Sequence, residues 1–209
     1  MKESVPTVIV IDDDEAVRSS LKLLLRSVKL PVNVYGSAHE FLSKYTADQS
    51  GCMIVDVRMP GMSGLELQQQ LNLRGAMIPV IFITGHGDIP MAVEAMRYGA
   101  FDFLQKPFRD QDLLDRVQRA LEKDAKNRRE FARSDRIREH YGTLTPRERE
   151  VLELVTSGKP NKVMAADLGV SQRTIEIHRA RVMEKMQANS LAQLVRMVLD
   201  LKENEGPAA

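Results

Sequence analysis

The chain has 209 residues, 43% of them hydrophobic and 28% charged, with a formal net charge of +1. That composition supports folded protein, in one large domain or two ordinary ones, and excludes wholesale disorder. The near-zero charge gives no global signature of a nucleic-acid partner, the single cysteine excludes an internal disulfide or a multi-cysteine metal site, and no apolar run reaches the roughly 18 residues of a membrane span.

The first 120 residues alternate short β-rich runs with longer segments of helical spacing. The runs are 7–11, 32–35, 52–55, 80–83 and 101–104. Helical segments are predicted over 15–28, 37–45, 63–73, 90–98 and 110–121. In the first of these, Val17, Leu21, Leu24, Leu25 and Val28 recur at three- and four-residue steps, which makes one face apolar. Five strands alternating with five helices imply right-handed βαβ units and a parallel sheet covered on both faces. The fold expected for residues 1–121 is therefore α/β, a doubly wound, flavodoxin-like five-stranded sheet. Cys52 sits inside the third apolar run and reads as a buried core residue rather than a redox sensor.

Residues 122–142 are dense in charge, with Arg128, Arg129, Arg133, Arg136 and Arg138. They read as a helical extension running into a linker. Residues 143–203 show helices only, and Gly206–Ala209 reads as a frayed tail. Thr145-Pro-Arg-Glu148 is a capping box with proline at the first helical position, Asn161, Ser171 and Ser190 are candidate N-caps, and Gly169 suits a helix end. Residues 1–121 hold 13 Lys/Arg against 15 Asp/Glu, 122–142 hold 7 against 5, and 143–209 hold 10 against 9. Such small imbalances do not by themselves argue for DNA binding.

Chemistry concentrates at the strand ends. Asp12, Asp13 and Asp14 follow the first strand, Asp56 the third, Thr84 closes the fourth and Lys106 follows the fifth. In an open α/β sheet, ligands bind beyond the carboxyl ends of the strands, where the strand order reverses. With the order 2-1-3-4-5, Asp12, Asp13 and Asp56 converge there. Clustered carboxylates repel one another, and a hard divalent cation with oxygen ligands, Mg²⁺, is the usual resolution. A hydroxyl and an ammonium beside them complete a site for phosphoryl oxygens, with Asp56 as the attacking group. Lys106-Pro107 is a candidate cis peptide. One aspartate at a strand end is more often a cap or a turn former; four strand ends carrying acid pair, acid, Thr and Lys-Pro are harder to reach by chance.

Ile11-Asp-Asp-Asp14, Asp56-Val-Arg-Met-Pro60 with Gly61 and Gly64, Thr84-Gly85 and Lys106-Pro-Phe108 together resemble the receiver domain of two-component response regulators. The stretch Thr84-Gly-His-Gly-Asp-Ile-Pro-Met-Ala-Val-Glu-Ala-Met96 is similar to the FixJ subfamily. The resemblance covers residues 5–121. It implies that Asp56 is the phosphoacceptor and that Asp12 and Asp13 bind Mg²⁺ with the backbone carbonyl of Arg58. It also implies that Thr84 and Phe103 are the switch pair and that Asp14 is a bystander or helix cap. Plain core packing is the alternative for Phe103. An aspartyl-phosphate phosphatase would need a second acid two residues after the nucleophile; that position is Arg58, so no enzyme is expected.

In the second half, 161–168, a turn at Gly169-Val170 and 171–187 have helix-turn-helix spacing. Ile175, Val182 and Met186 share one face of the second helix, while Arg173, Glu176, Ile177, Ala180, Arg181 and Glu184 lie around the other. Arg suits guanine, Glu suits cytosine and Ile suits a thymine methyl. Lys159 and Lys162 read as phosphate contacts, and Thr174 and Lys185 complete the candidate DNA-binding set. A small all-helical protein-interaction domain is equally compatible with the spacing.

Leu144–Leu152, Ala165–Ser171 and Thr174–Met186 resemble the LuxR-type four-helix DNA-binding domain, over residues 143–201. His178 belongs to that pattern and has no second His or Cys nearby to make a metal site. The resemblance implies that the last helix, 191–201, dimerises on DNA; its apolar stripe could equally be core. The partners implied are a sensor histidine kinase, double-stranded promoter DNA, a second copy of the phosphorylated chain and RNA polymerase. No membrane partner and a cytoplasmic location are expected, since Met1-Lys-Glu-Ser4 lacks the apolar core of a signal peptide.

Overall fold

A computed structural model describes residues 5–85 and 89–204. His86, Gly87 and Asp88 of the FixJ-like stretch, Met1–Ser4 and the tail 205–209 lie outside the described residues. Packing divides the chain into two units that meet at Arg128 and Arg129.

The first unit holds β1 (Thr7–Ile11), β2 (Val32–Tyr35), β3 (Gly51–Asp56), β4 (Val80–Thr84) and β5 (Asp102–Gln105). They form one sheet, wholly parallel, in the order β2-β1-β3-β4-β5. Helices α1 (Glu15–Ser27), α2 (Ala38–Lys44), α3 (Gly64–Leu73), α4 (Ile89–Arg97) and α5 (Asp110–Gly142) follow the strands in turn. Period-two alternation divides the core cleanly. Val8, Val10, Cys52, Ile54, Ile81 and Ile83 face Leu21 and Leu25 of α1 and Leu113, Val117 and Ala120 of α5. Ile9, Ile11, Met53, Val55 and Phe82 face Phe41 of α2, Leu67 and Leu71 of α3 and Ala95 of α4. The central strands are apolar on both sides because both sides are covered. Val28, placed on the apolar face of the first helix by spacing, is instead its exposed C-cap, where the helix has already turned away.

Two short connections set the site. Asp14 caps α1, its carboxylate accepting from the amides of Ala16 and Val17. Gly64 opens α3 hard against β3, where a Cβ would stand 2.4 Å from the Asp56 carbonyl oxygen. Any side chain there would displace the backbone that carries Asp56.

Helix α5 runs without interruption through the charge-dense residues 122–142. In the second unit, α6 (Pro146–Thr156), α7 (Asn161–Leu168), α8 (Gln172–Lys185) and α9 (Leu191–Asn204) pack around Val151, Leu152, Met164, Ile175, Val182 and Leu194. Thr145 and Glu148 make the capping box in both directions, and Ser171 caps α8. Gly169 ends α7 in the left-handed region at φ 64. Asn161 is not a cap. Pro160 takes that place without a side-chain bond, while the Asn161 amide oxygen accepts from Arg179. The apolar stripe of α9 is largely core: Leu194, Met197, Val198 and Leu201 are buried, leaving Leu191 and Leu199 exposed.

Candidate functional site

Because β1 and β3 are neighbours with their carboxyl ends level, Ile11 pairing with Val55, their terminal acids come together. Asp12 is 1% exposed and Asp56 8% exposed. Lys106, just beyond β5, reaches both: its Nζ lies 3.0 Å from Asp12 Oδ2 and 2.9 Å from Asp56 Oδ1. Its peptide bond to Pro107 is cis. The second oxygen of Asp56 accepts from the Arg58 amide at 2.7 Å, and Asp12 Oδ1 accepts from the Asp14 amide at 2.9 Å. Thr84 is buried at the end of β4. Asp12, Asp56 and Lys106 therefore meet at three strand ends, and Thr84 closes the strand that lies between β3 and β5. Asp13 is exposed beside them.

Burial pushes the Asp12 carboxyl above its ordinary value, and the bond from Lys106 only partly opposes this. Burial also works against the Lys106 ammonium, but its bonds to Asp56 and Asp12 outweigh that and leave its pKa raised. Lys106 is thus a firmly held cation between two carboxylates. Two carboxylates, Asp12 and Asp56, share this one ammonium, and a hard divalent ion is the kind of charge that such an acidic pocket accommodates. No three His, Cys, Asp or Glu side chains close around one point among the described residues. The donor set is nonetheless all oxygen, and Mg²⁺ commonly keeps several waters and needs few protein ligands.

Phe103 is half-buried on β5, packed against the core on the α4 side of the sheet. Sequence reasoning missed Arg18, whose guanidinium donates to the Asp12 carbonyl at 2.7 Å and braces the β1–α1 turn. An arginine on the first helix offers no signal of this, because the contact depends on how α1 leaves the sheet.

In the second unit, α7 and α8 form the helix pair around Gly169. Ile175, Val182 and Met186 are buried, whereas Arg173, Glu176, Ile177, Ala180, Arg181 and Glu184 are exposed. Thr174 is half-buried at the start of α8, its hydroxyl 2.8 Å from that of Ser171. Lys162 is exposed on α7, and Lys159 pairs with Asp167 at 2.7 Å. Lys185 differs from the others. Its ammonium lies 2.7 Å from the buried Glu148 and also donates to the Thr143 carbonyl. It ties the end of α8 to the start of α6. His178 is half-buried, and its Nδ1 has no hydrogen-bond partner.

Comparison with known proteins agrees with both halves. The family described as response regulator receiver domain matches residues 8–118, and the luxR family of bacterial regulatory proteins matches residues 142–198. The transcriptional regulatory protein FixJ of Azorhizobium caulinodans is 52% identical over 95% of this chain and 94% of its own. Nodulation protein W of Bradyrhizobium diazoefficiens is 50% identical over 91% of this chain and 84% of its own. A solved structure of the response regulator StyR superposes with a TM-score of 0.86 at 44% identity, covering 94% of this chain and 99% of that one. No helix among the described residues is long and apolar enough to cross a membrane. The chain belongs to the FixJ-like response regulators, two-component transcription regulators that join a receiver to a LuxR-type DNA-binding domain.

Proposed function

We propose that Asp56 is the phosphoacceptor and that a sensor histidine kinase is the donor. An Asp56 carboxylate oxygen attacks the phosphorus of the phosphohistidine; the P–N bond breaks, and the imidazole nitrogen keeps the electron pair and takes up a proton. The observation that carries this reading is the double contact of Lys106, which places a fixed cation against the oxygen of Asp56. That ammonium is positioned to stabilise the new phosphoryl oxygens. Asp12, Asp13, Asp56 and the Arg58 carbonyl are the ligands proposed for Mg²⁺, which when bound neutralises phosphoryl charge. Arg58 follows Asp56 by two positions, so no acid is available there to hydrolyse the product, and an enzymatic reading is not adopted.

In the proposed switch, the Thr84 hydroxyl turns to the phosphoryl group and the half-buried Phe103 ring follows inward, a population shift between two packings. Phosphorylated receivers, residues 1–121, pair; the helical segment 122–142 carries the chain onward; and residues 143–209 bind paired half-sites in cytoplasmic promoter DNA, where RNA polymerase is the further partner. Arg173, Glu176, Ile177, Ala180 and Arg181 are proposed to read bases. Thr174, Lys159 and Lys162 are proposed to contact phosphates. Lys185, a member of the candidate DNA-binding set, is assigned to the Glu148 pair instead.

The test is labelling of the full chain by a small phosphodonor such as acetyl phosphate. Wild-type protein labels and Asp56→Asn does not; retained labelling in Asp56→Asn removes the assignment.

A further inference from the structure

At the end of β3 opposite Asp56 lies a second, buried polar cluster. Gly51 opens the strand at φ +133, and a Cβ there would stand 1.9 Å from the Thr7 carbonyl oxygen. Its amide donates to Asp124 Oδ2 of α5 at 2.9 Å. Asp124 is 2% exposed, well past the predicted end of the receiver helix at residue 121. Arg128, one turn further, bonds both Asp124 oxygens through Nε, at 3.0 and 2.9 Å. The same guanidinium donates to the carbonyls of Asp48 and Gln49, the residues leading into β3.

A buried carboxylate satisfied by one arginine and one backbone amide is costly to disturb, since removing either partner leaves an uncompensated group. Helical spacing alone would read Asp124 and Arg128 as one more solvated i, i+4 pair. Here the pair closes instead on the root of the central strand. Gly51 and Asp56 are five residues apart, about 17 Å along a strand that is buried throughout.

We infer that Asp124 and Arg128 are positioning residues that clamp α5 to the root of β3, so that the strand that ends in Asp56 and the helix as far as Arg128 move together. This rests on the proposed phosphoacceptor reading and names the device that transmits its effect. The helix is held as far as Arg128, so displacement of β3 reaches α5 without passing through a loop. The clamp stands at the opposite end of β3 from Asp56.

The experiment compares full-length wild type with Asp124→Asn, which preserves shape, and Arg128→Gln, which removes the guanidinium from a partly exposed position. Three quantities are read: Asp56 labelling by acetyl phosphate, hydrogen exchange at the Gly51 amide, and the ratio of duplex affinity with and without phosphorylation. Labelling is expected to stay within about twofold of wild type, while Gly51 exchange accelerates by more than about tenfold. The affinity ratio is expected to fall at least about fivefold toward unity. An unchanged ratio alongside accelerated exchange overturns the inference, because the clamp is then only structural. Unchanged exchange in both variants also overturns it. A wild type that shows no affinity ratio refutes the phosphorylation reading instead, and Gly51 exchange still reports on the clamp.

Discussion

Replacing Lys185 with methionine separates two roles that a lysine on a DNA-reading helix can have. The ammonium lies 2.7 Å from Glu148, which is 3% exposed and also accepts from the Thr145 amide at 2.8 Å. The bond from Lys185 is the chief reason the Glu148 carboxyl is held down to about 2 from 4.5, with the Thr145 bonds adding to it. If all of that difference appeared in folding it would amount to roughly 3 kcal/mol. The Lys185 side chain is 34% exposed, however, so solvent screens its share and about 1–2 kcal/mol is expected. Lys185→Met should therefore lower the stability of the full chain by about 2 kcal/mol, because it also leaves a buried anion unpaired. Glu148→Gln should cost slightly less, and the double variant less than the sum of the two. The sign in pH follows: the folded value is depressed, so the contribution is present above pH 4.5 and is lost as pH falls toward 2. Urea unfolding followed by circular dichroism measures the stabilities, and the salt dependence of duplex binding measures phosphate contacts. Lys162→Ala should reduce the slope of log affinity against log salt by about one, whereas Lys185→Met should leave it unchanged. Unaltered stability together with a reduced slope for Lys185→Met would refute the reasoning.

Asp12→Asn should hold or raise stability by about 0–2 kcal/mol near neutral pH, since burial disfavours the charge; the sign is that stability from this group falls as pH rises from 3.8 through the raised folded value. The same variant should label poorly with acetyl phosphate, and a clear loss of stability would show that Asp12 is chiefly a partner for Lys106. Gly64→Ala should cost more than about 2 kcal/mol in urea unfolding and depress labelling, because its Cβ meets the Asp56 carbonyl oxygen. Arg173→Ala and Arg181→Ala should each weaken binding to a selected duplex by about 1–3 kcal/mol, and undiminished affinity in both would remove α8 as the reading helix.

The parts of this molecule that depend on local pattern are legible in the amino-acid sequence. Strand alternation, the Thr145–Glu148 capping box and the αL glycine at 169 are encoded within a few residues of themselves. The Asp12, Asp56, Thr84 and Lys106 set is legible for a different reason: each residue marks the end of a strand, and topology brings strand ends together. What stays hidden depends on long-range pairing of ordinary charges. Lys185 with Glu148 and Asp124 with Gly51 are separated by 37 and 73 positions. Nothing local distinguishes such a lysine from a phosphate contact, or such an aspartate from a solvated one. Arg18 escapes sequence reasoning for the same reason. Asn161 fails as a cap because Pro160, with its fixed φ, already supplies the extended residue that a helix start requires.

Cys52 is the second residue of β3, wholly buried, with its thiol pushed up to about 12 by burial and by the nearby Asp124 charge. The single thiol of the sequence is therefore expected to be silent toward alkylating probes at neutral pH. Single cysteines introduced on exposed turns of α5 or α8 would carry fluorophores or spin labels without competing background. Optical or magnetic distance measurements can thus be made on this chain with no native residue first removed.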